Sequence, residues 1–478
     1  LIIVQGRVLN EPKAMYRGNN TVQMQSGSWN MLRAKFNAPG RQLKQWSYVL
    51  ISTEGFHDAF PDPQSLAAVM GKLHRSLQDT GVVANQPLNG KRISVRDTDD
   101  PELEKTIRLA VKSLDLLFII LPTKDHPLWP RIKQLGDIKY GLPTICSVGS
   151  KLAQERGQDQ YFKNEALKFN LKLGGVNQTV ENISNSIVGQ DKTMIVGLDV
   201  THPSPGSSTA APSVAGMVAS VDKYLGQWPA TLRLQSRARK EEVDGLAEIL
   251  KRHLDLWRTK GKHASLPENI IVFRDGVSEG QFDKVINDEL PQLRQACKDK
   301  YSPADQAKGL PKSTIAVVTK RHHTRFFPSS PQTADRFSNP RPGTVVDRGL
   351  TDARAWDFFM QPHASILGTA RSAHYTFLLD EVFRSHYSTI PRPFKNVADV
   401  VEDLILGMSY NFGRATKGVS VCTPAKYADI VCTRARAYLA HLYDTASQSA
   451  ISGGSDGASA NNQDIVIHQN LRDSMFYI

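Results

Sequence analysis

Residues 194–200 read MIVGLDV and residues 270–276 read IIVFRDG. Each is an apolar run closed by a carboxylate, Asp199 in one and Asp275 in the other. Such runs predict strands buried on both faces of a helix-covered sheet. Sheets of this kind place their chemistry at the strands' carboxyl ends. Taken singly, either Asp fits an ordinary turn, where this residue is common. Two carboxylates held side by side on rigid strands are different, because they repel unless a cation neutralises them. Their hard oxygens select Mg²⁺ or Mn²⁺. Two such ions can activate a water and stabilise the leaving oxygen of a phosphodiester.

Outward from Met194 the pattern continues as strand and helix. Strands are expected at Ser213–Ser220, Thr231–Gln235, Thr314–Val318, Ala355–Met360 and His374–Leu379. Helices are expected at Val243–Trp257, Gly280–Ala296, Val397–Tyr410 and Pro424–Leu442. Residues 453–462 (GGSDGASANN) are low-complexity and read as a mobile loop. Residues 181–192 read as a connector.

Upstream lies a second alternating pattern. Strands are expected at Tyr48–Ser52, Leu116–Leu121 and Thr144–Val148. Helices are expected at Gln64–Leu77, Leu103–Leu114, around Pro130–Ile138 and around Tyr161–Leu173, the last stopped by Gly174-Gly175. This alternation implies a mostly parallel sheet. Residues 1–46 are short apolar pieces broken by Gly, Pro and Asn, an extended linker. The expected domains are 1–46, 47–180 and 181–478.

The chain of 478 residues carries 59 Lys+Arg against 47 Asp+Glu, a surplus of 59 − 47 = 12. That favours a polyanionic partner, nucleic acid before an acidic membrane. Cys146, Cys297, Cys422 and Cys432 form no CxxC pair, which argues against a zinc site or disulfide scaffold and fits a reducing compartment. No apolar run reaches membrane-spanning length and no signal peptide opens the chain. Because the first residue is Leu, a fragment of a longer protein is expected.

Four blocks carry a family resemblance: IVGLDVTHPSPG (195–206), FRDGVSEGQF (273–282), KRHHTRFFP (320–328) and GTARSAHYTFLLDE (368–381). In this order and spacing they resemble the PIWI domain of eukaryotic Argonautes. The overall resemblance suggests the fungal quelling type. It implies a Rossmann-like MID domain, then an RNase H-like PIWI domain. It also implies a catalytic set of Asp, Glu, Asp and His or Asp. Asp199 and Asp275 match directly, and Asp429 (PAKYADIV, 424–431) matches the fourth position. The glutamate falls on Glu241 or its neighbour Glu242, in LRLQSRARKEEVDGLAEIL (232–250). Both would also suit the first turn of the Val243 helix, where acidic residues favour the helix dipole without any catalysis.

WPRIKQLGD (129–137) and ALKFNLKLGGVN (166–177) resemble the MID segments that hold a guide's 5′ phosphate. By itself the i, i+4 pair Lys168 and Lys172 fits a solvated helix face. The resemblance implies that Lys133, Lys168 and Lys172 grip phosphate, joined by Arg434 (TRARAYL, 433–439). Arg414, Lys417, Arg371 and His374–Tyr375 would contact guide backbone. The C-terminal Ile478 carboxylate would pack near the pocket. Two positions depart from the family: Trp129 stands for the common Tyr, and Ile145 for a Gln. An indole keeps a stacking face for the first base but loses the phenol oxygen. Lys320, Arg321, His322, His323 and Arg325 form a dense cationic cluster. Phosphate contact is favoured there over metal, since successive strand residues point to opposite faces.

The expected protein is a guide-RNA-binding lobe that anchors a 5′-phosphorylated small RNA. It cleaves complementary target RNA with two Mg²⁺ or Mn²⁺ ions on Asp199, Asp275 and Asp429. A cytoplasmic monomer is expected, with silencing proteins as further partners and no membrane. The alternative is a catalytically silent guide-binding module that acts through partner proteins.

Overall fold

In the computed structural model, residues 1–31, 33–204, 207, 211–235, 243–443 and 465–478 are described. The segment expected to be a mobile loop, 453–462, lies outside them. The chain forms two compact units: Leu1–Asn30 with Gln178–His202 and Pro212–Cys432, and Met31–Asn177 with Pro203–Ala211 and Thr433–Ile478.

The first unit is built on a nine-stranded sheet. Its spatial order is Arg7–Val8, Thr344–Val346, Trp356–Gln361, Ala373–Asp380, Lys312–Thr319, Asn269–Asp275, Thr193–Thr201, Val214–Ala219 and Ala230–Leu234. The central three, Lys312–Thr319, Asn269–Asp275 and Thr193–Thr201, are parallel, and the flanking pairs are antiparallel. The central strands are the most apolar because both faces are covered. One face meets the helix Leu246–Thr259, whose Leu246, Ile249, Leu250, Leu254 and Trp257 are buried at helical spacing. This helix starts at Leu246 rather than Val243, because Gly245 sits at φ +67°, outside the helical region. Its first-turn acid is Glu248, not the pair expected from the sequence.

The helix Thr423–Tyr438 packs against the strands Thr193–Thr201 and Val214–Ala219 through a glycine on each. A Cβ on Gly197 would lie 2.1 Å from the Pro424 carbonyl oxygen, and one on Gly216 would lie 2.9 Å from the Cys432 sulfur. Gly197→Ala is therefore expected to destabilise the fold by about 3 kcal/mol, at the upper end for an overpacked core. The check is thermal unfolding; a midpoint unchanged from wild type would mean the helix can retreat freely.

The expected linker is partly structured. Arg7–Val8 pairs as an edge strand with Thr344–Val346, while Lys13–Met15 pairs with Thr21–Gln23 and with Thr179–Val180. These strands are only two or three residues long, too short to show alternation. The expected connector 181–192 holds two short turns of helix, Glu181–Ser184 and Ile187–Gln190.

The second unit holds a four-stranded, wholly parallel sheet in the order Lys91–Ser94, Trp46–Ser52, Leu116–Leu121 and Thr144–Val148. Lys91–Ser94 escaped the sequence reading because it is an edge strand with one buried residue, Ile93. Helices Pro63–Asp79, Pro101–Ala110 and Gln158–Lys172 accompany the sheet. The first opens on an Asp62 side chain that accepts from the Ser65 N–H. The last gives way to Gly174 at φ +85°. The helix expected around Pro130–Ile138 is Leu128–Lys133 followed by a π-helical stretch, Gln134–Tyr140, closed by Gly141 at φ +68°.

Candidate active site and phosphate pocket

Asp275 ends the strand Asn269–Asp275, and Asp199 lies two residues before the end of its parallel neighbour Thr193–Thr201, in the first unit. Their register pairs Asn269 with Thr193 through to Arg274 with Leu198, a constant offset of 269 − 193 = 76. The next step sets Asp275 across from Asp199. Adjacent strands lie about 4.8 Å apart, so the two carboxylates share one site. Gly276, at φ +87°, turns the chain away directly afterwards, and a Cβ there would lie 3.4 Å from Asp199 Oδ1.

Electrostatics follow from this crowding. Burial, then the charges of Asp199 and Asp429, push the Asp275 carboxyl up to about 7. Burial raises Asp199 too; the charge of Asp429 adds to this and the Arg274 guanidinium opposes it. Arg274 is itself committed to Glu289, at 3.2 and 3.3 Å, and to its neighbour's carbonyl. Asp199 Oδ1 accepts from the Val200 N–H at 2.8 Å, and the Cys432 thiol donates to the Asp199 carbonyl at 3.4 Å.

Asp429 comes to this neighbourhood on the helix Thr423–Tyr438, past its first turn, so it is not a helix-dipole acid. Its Oδ2 accepts from Lys426 Nζ at 2.6 Å. Lys320, at the end of the third central strand, feels both Asp275 and Asp429, and donates to Ser420 Oγ at 2.5 Å. Among the described residues, no three His, Cys, Asp or Glu side chains already gather as a metal-ligand group. Glu241 and Glu242 lie outside the described residues.

The second unit contains a buried cationic cluster. Lys133 is 2 % exposed and donates from Nζ to Thr144 O at 2.8 Å and Thr144 Oγ1 at 2.9 Å. Lys172, 9 % exposed, donates to Phe476 O at 2.8 Å. Arg434 donates to Phe476 O at 3.0 Å and Tyr477 O at 2.9 Å, and forms a close ion pair with Asp137. The Tyr438 hydroxyl donates to the same Asp137 oxygen at 2.7 Å. Burial lowers the Lys133 ammonium; burial and then Lys133 hold Lys172 well below its usual range. Each ammonium has three donors; among the described residues Lys133 directs two to Thr144 and Lys172 one to the Phe476 carbonyl. Desolvated cations this close to one another favour an anion between them.

Lys168 lies at the edge of this group, its side chain 24 % exposed and paired with Glu165 at 3.0 Å. Trp129 is half-buried with the Arg434 guanidinium 5.3 Å from its ring centre, a cation–π arrangement. Ile145 is buried in the strand Thr144–Val148 and offers no polar atom.

The family model described as the Piwi domain matches residues 116–440, more than half of the chain. The chain belongs to the Argonaute family. It is 33 % identical over 467 residues to "Protein argonaute 2" of Oryza sativa subsp. japonica, covering 94 % of this chain and 42 % of that protein. It is 31 % identical to the solved MID–PIWI domains of the N. crassa Argonaute QDE-2, with TM-score 0.65, covering 93 % of this chain and 100 % of that one. It is 25 % identical to the C-terminal lobe of a budding yeast Argonaute, with TM-score 0.82, covering 99 % and 95 %. The chain spans 38–46 % of the length of the curated relatives it matches. It therefore corresponds to an Argonaute MID–PIWI lobe, with a mixed α/β fold whose Piwi part is RNase H-like.

Within this Argonaute lobe the remaining residues fall in several settings. Arg371 and Lys417 are exposed and Arg414 is half-buried, all in the first unit. Tyr375 is fully buried and its hydroxyl accepts from the Cys422 N–H at 3.0 Å, so the backbone contact expected of it is not open to this side chain. His374 Nε2 bonds Asp357 Oδ2 at 2.6 Å and its ring stacks on Phe359. The strand Lys312–Thr319 ends before the cationic cluster, so the alternate-face reason for rejecting a His322–His323 metal site does not apply. His322 instead donates to Ser372 O at 2.8 Å, and it joins no metal-ligand group among the described residues.

Sequence reasoning missed Asp137, Lys426 and the Phe476 and Tyr477 carbonyls. Asp137 lies in the quoted WPRIKQLGD segment and could have drawn attention as an acid among cations. Nothing local marks the carbonyls.

Proposed function

We propose that this lobe holds the 5′ phosphate of a small guide RNA and cleaves a complementary RNA strand. The observation that carries the nuclease reading is the register of Asp275 beside Asp199, with Asp429 in their electrostatic reach. Three oxygen donors of this kind suit Mg²⁺ or Mn²⁺, two ions in the full reading. Asp199, Asp275 and Asp429 would hold them, with Glu241 or Glu242 completing the set. Bound there, the cations would supply a nucleophilic water and a counter-charge for the departing oxygen. The aspartates' own part is to fix those oxygens on rigid strand ends, so that little reorganisation accompanies the reaction.

The pocket of the second unit supports phosphate anchoring. Lys133, Lys172 and Arg434 would contribute charge and hydrogen bonds, Lys168 charge from the rim, and Trp129 a ring for the first base. Arg371, Arg414 and Lys417 would add contacts along the guide backbone. The target would be read by base pairing, the duplex by its A-form shape and 2′-hydroxyls.

The alternative is a catalytically silent guide-binding module that acts through partner proteins. The deciding experiment loads a 5′-phosphorylated guide, adds complementary RNA and Mg²⁺, and maps the products. One cut at a fixed distance from the guide's 5′ end supports the nuclease. Intact target with guide firmly bound supports the silent module.

The raised Asp275 carboxyl gives a pH prediction. Protonated, it is a neutral acid and a poor ligand, so its contribution is lost as pH falls through about 7. At limiting Mg²⁺, single-turnover cleavage should drop about tenfold per pH unit below that midpoint. More Mg²⁺ should move the midpoint to lower pH, because cation and proton compete. A profile flat from pH 5.5 to 8.5 would count against Asp275 as a ligand.

A further inference from the structure

Asp199, Asp275 and Asp429 lie within electrostatic reach of one another, and several cations stand near them. Arg274, on the strand of Asp275, is turned onto Glu289. Lys320, on the neighbouring strand's end, is bonded to Ser420. Arg371 acts on Lys320 and has no ion pair with any of the three acids. Lys426 is different: it forms an ion pair with Asp429, one of the three, at 2.6 Å. The pair spans i, i+3 on one helix, with the side chains 35 % and 45 % exposed. It is open enough to break, and exposed pairs of this type add little to stability.

From this geometry we infer that Lys426 is a tethered counter-cation that holds Asp429 when no divalent ion is bound and yields it when one enters. Lys426 is thus a positioning residue: it acts through Asp429 and competes with metal for the same carboxylate oxygen. The inference rests on the nuclease reading, since it needs Asp429 to be a ligand. Its consequence has a definite sign. Removing the ammonium frees a ligand and removes a like charge from the ion's path, so divalent affinity rises. A side chain that merely buttressed the helix would lower it.

The experiment titrates Mn²⁺ into the 478-residue chain by calorimetry, with free Mn²⁺ followed by electron paramagnetic resonance. The specific site is defined as the binding abolished by Asp199→Asn. Lys426→Met is expected to tighten that site about tenfold, the scale on which one nearby charge shifts a carboxylate equilibrium. Lys426→Arg, which keeps the charge, should stay within about twofold of wild type. Unchanged or weaker binding in Lys426→Met would overturn the counter-cation role alone. A wild-type chain with no Asp199-dependent Mn²⁺ site would overturn both this role and the nuclease reading. Unfolding midpoints of both variants should match wild type within about 1 °C, as expected for an exposed pair.

Discussion

Asp275→Asn is expected to abolish guided cleavage, by a factor of about a thousand or more, while making the metal-free protein more stable. Both halves come from one geometry. Strand register sets two carboxylates face to face, and burial with mutual repulsion pushes the Asp275 carboxyl up to about 7. An acid raised above its unfolded value contributes stability at low pH, and that contribution is lost as pH rises through the folded value. At pH 8 the ionised pair therefore opposes folding. The amide has nearly the same shape and no charge, so it relieves the repulsion and removes a hard ligand. In chelator at pH 8 the unfolding midpoint should rise by about 2 °C or more. Guide affinity should stay within about twofold, because the candidate 5′-phosphate donors Lys133, Lys172 and Arg434 all belong to the other unit. Single-turnover cleavage and thermal melts of the same preparation provide the check. A variant that loses activity and stability together would point to a structural Asp275 instead.

Arg434→Ala carries the second large effect. Asp137 is 0 % exposed, and its Oδ2 is held by Arg434 and Tyr438. Burial works against the Arg434 charge, and Asp137 with Tyr438 more than restores it. Removing the guanidinium strands a buried carboxylate, which costs about 3–5 kcal/mol. For a unit of this size that lowers the melting midpoint by roughly 10 °C. The same change removes a two-nitrogen donor from the pocket. Preference for a 5′-phosphorylated over a 5′-hydroxyl guide should fall about tenfold or more, as expected for a lost charge-assisted contact. Instability alone could imitate weak binding, so a double variant separates the effects. Asp137→Asn with Arg434→Met leaves no stranded charge and should recover most of the stability. It should not recover the phosphate preference. Recovery of both in a competition assay would show that Arg434 serves the fold and not the guide.

Much of this molecule is written locally. The runs at 116–121 and 144–148 are strands to the residue, and Val397–Tyr410 is the helix its spacing predicts. Local patterns suffice there because burial on one or two faces sets the apolar period directly. Asp275 could be placed at a strand end for the same reason, whereas the strand of Asp199 runs two residues further, to Thr201. Helix starts were less legible: Gly245 delays one by three residues through a backbone angle that no hydrophobic pattern encodes. Short or polar edge strands, such as Lys91–Ser94, carry too few buried residues to show a period.

The sequence by itself determined the two α/β patterns, the carboxylates that close apolar runs and the blocks that resemble the Argonaute family. Only the tertiary structure decided which residues neighbour one another. The register of Asp275 against Asp199, the hold of Lys426 on Asp429 and the enclosure of Asp137 by Arg434 and Tyr438 all belong to it. The physical reason is that pairing across long stretches of chain, and the desolvation that comes with it, are set by packing. A charged residue looks the same in a sequence whether it ends up in water or sealed against its opposite.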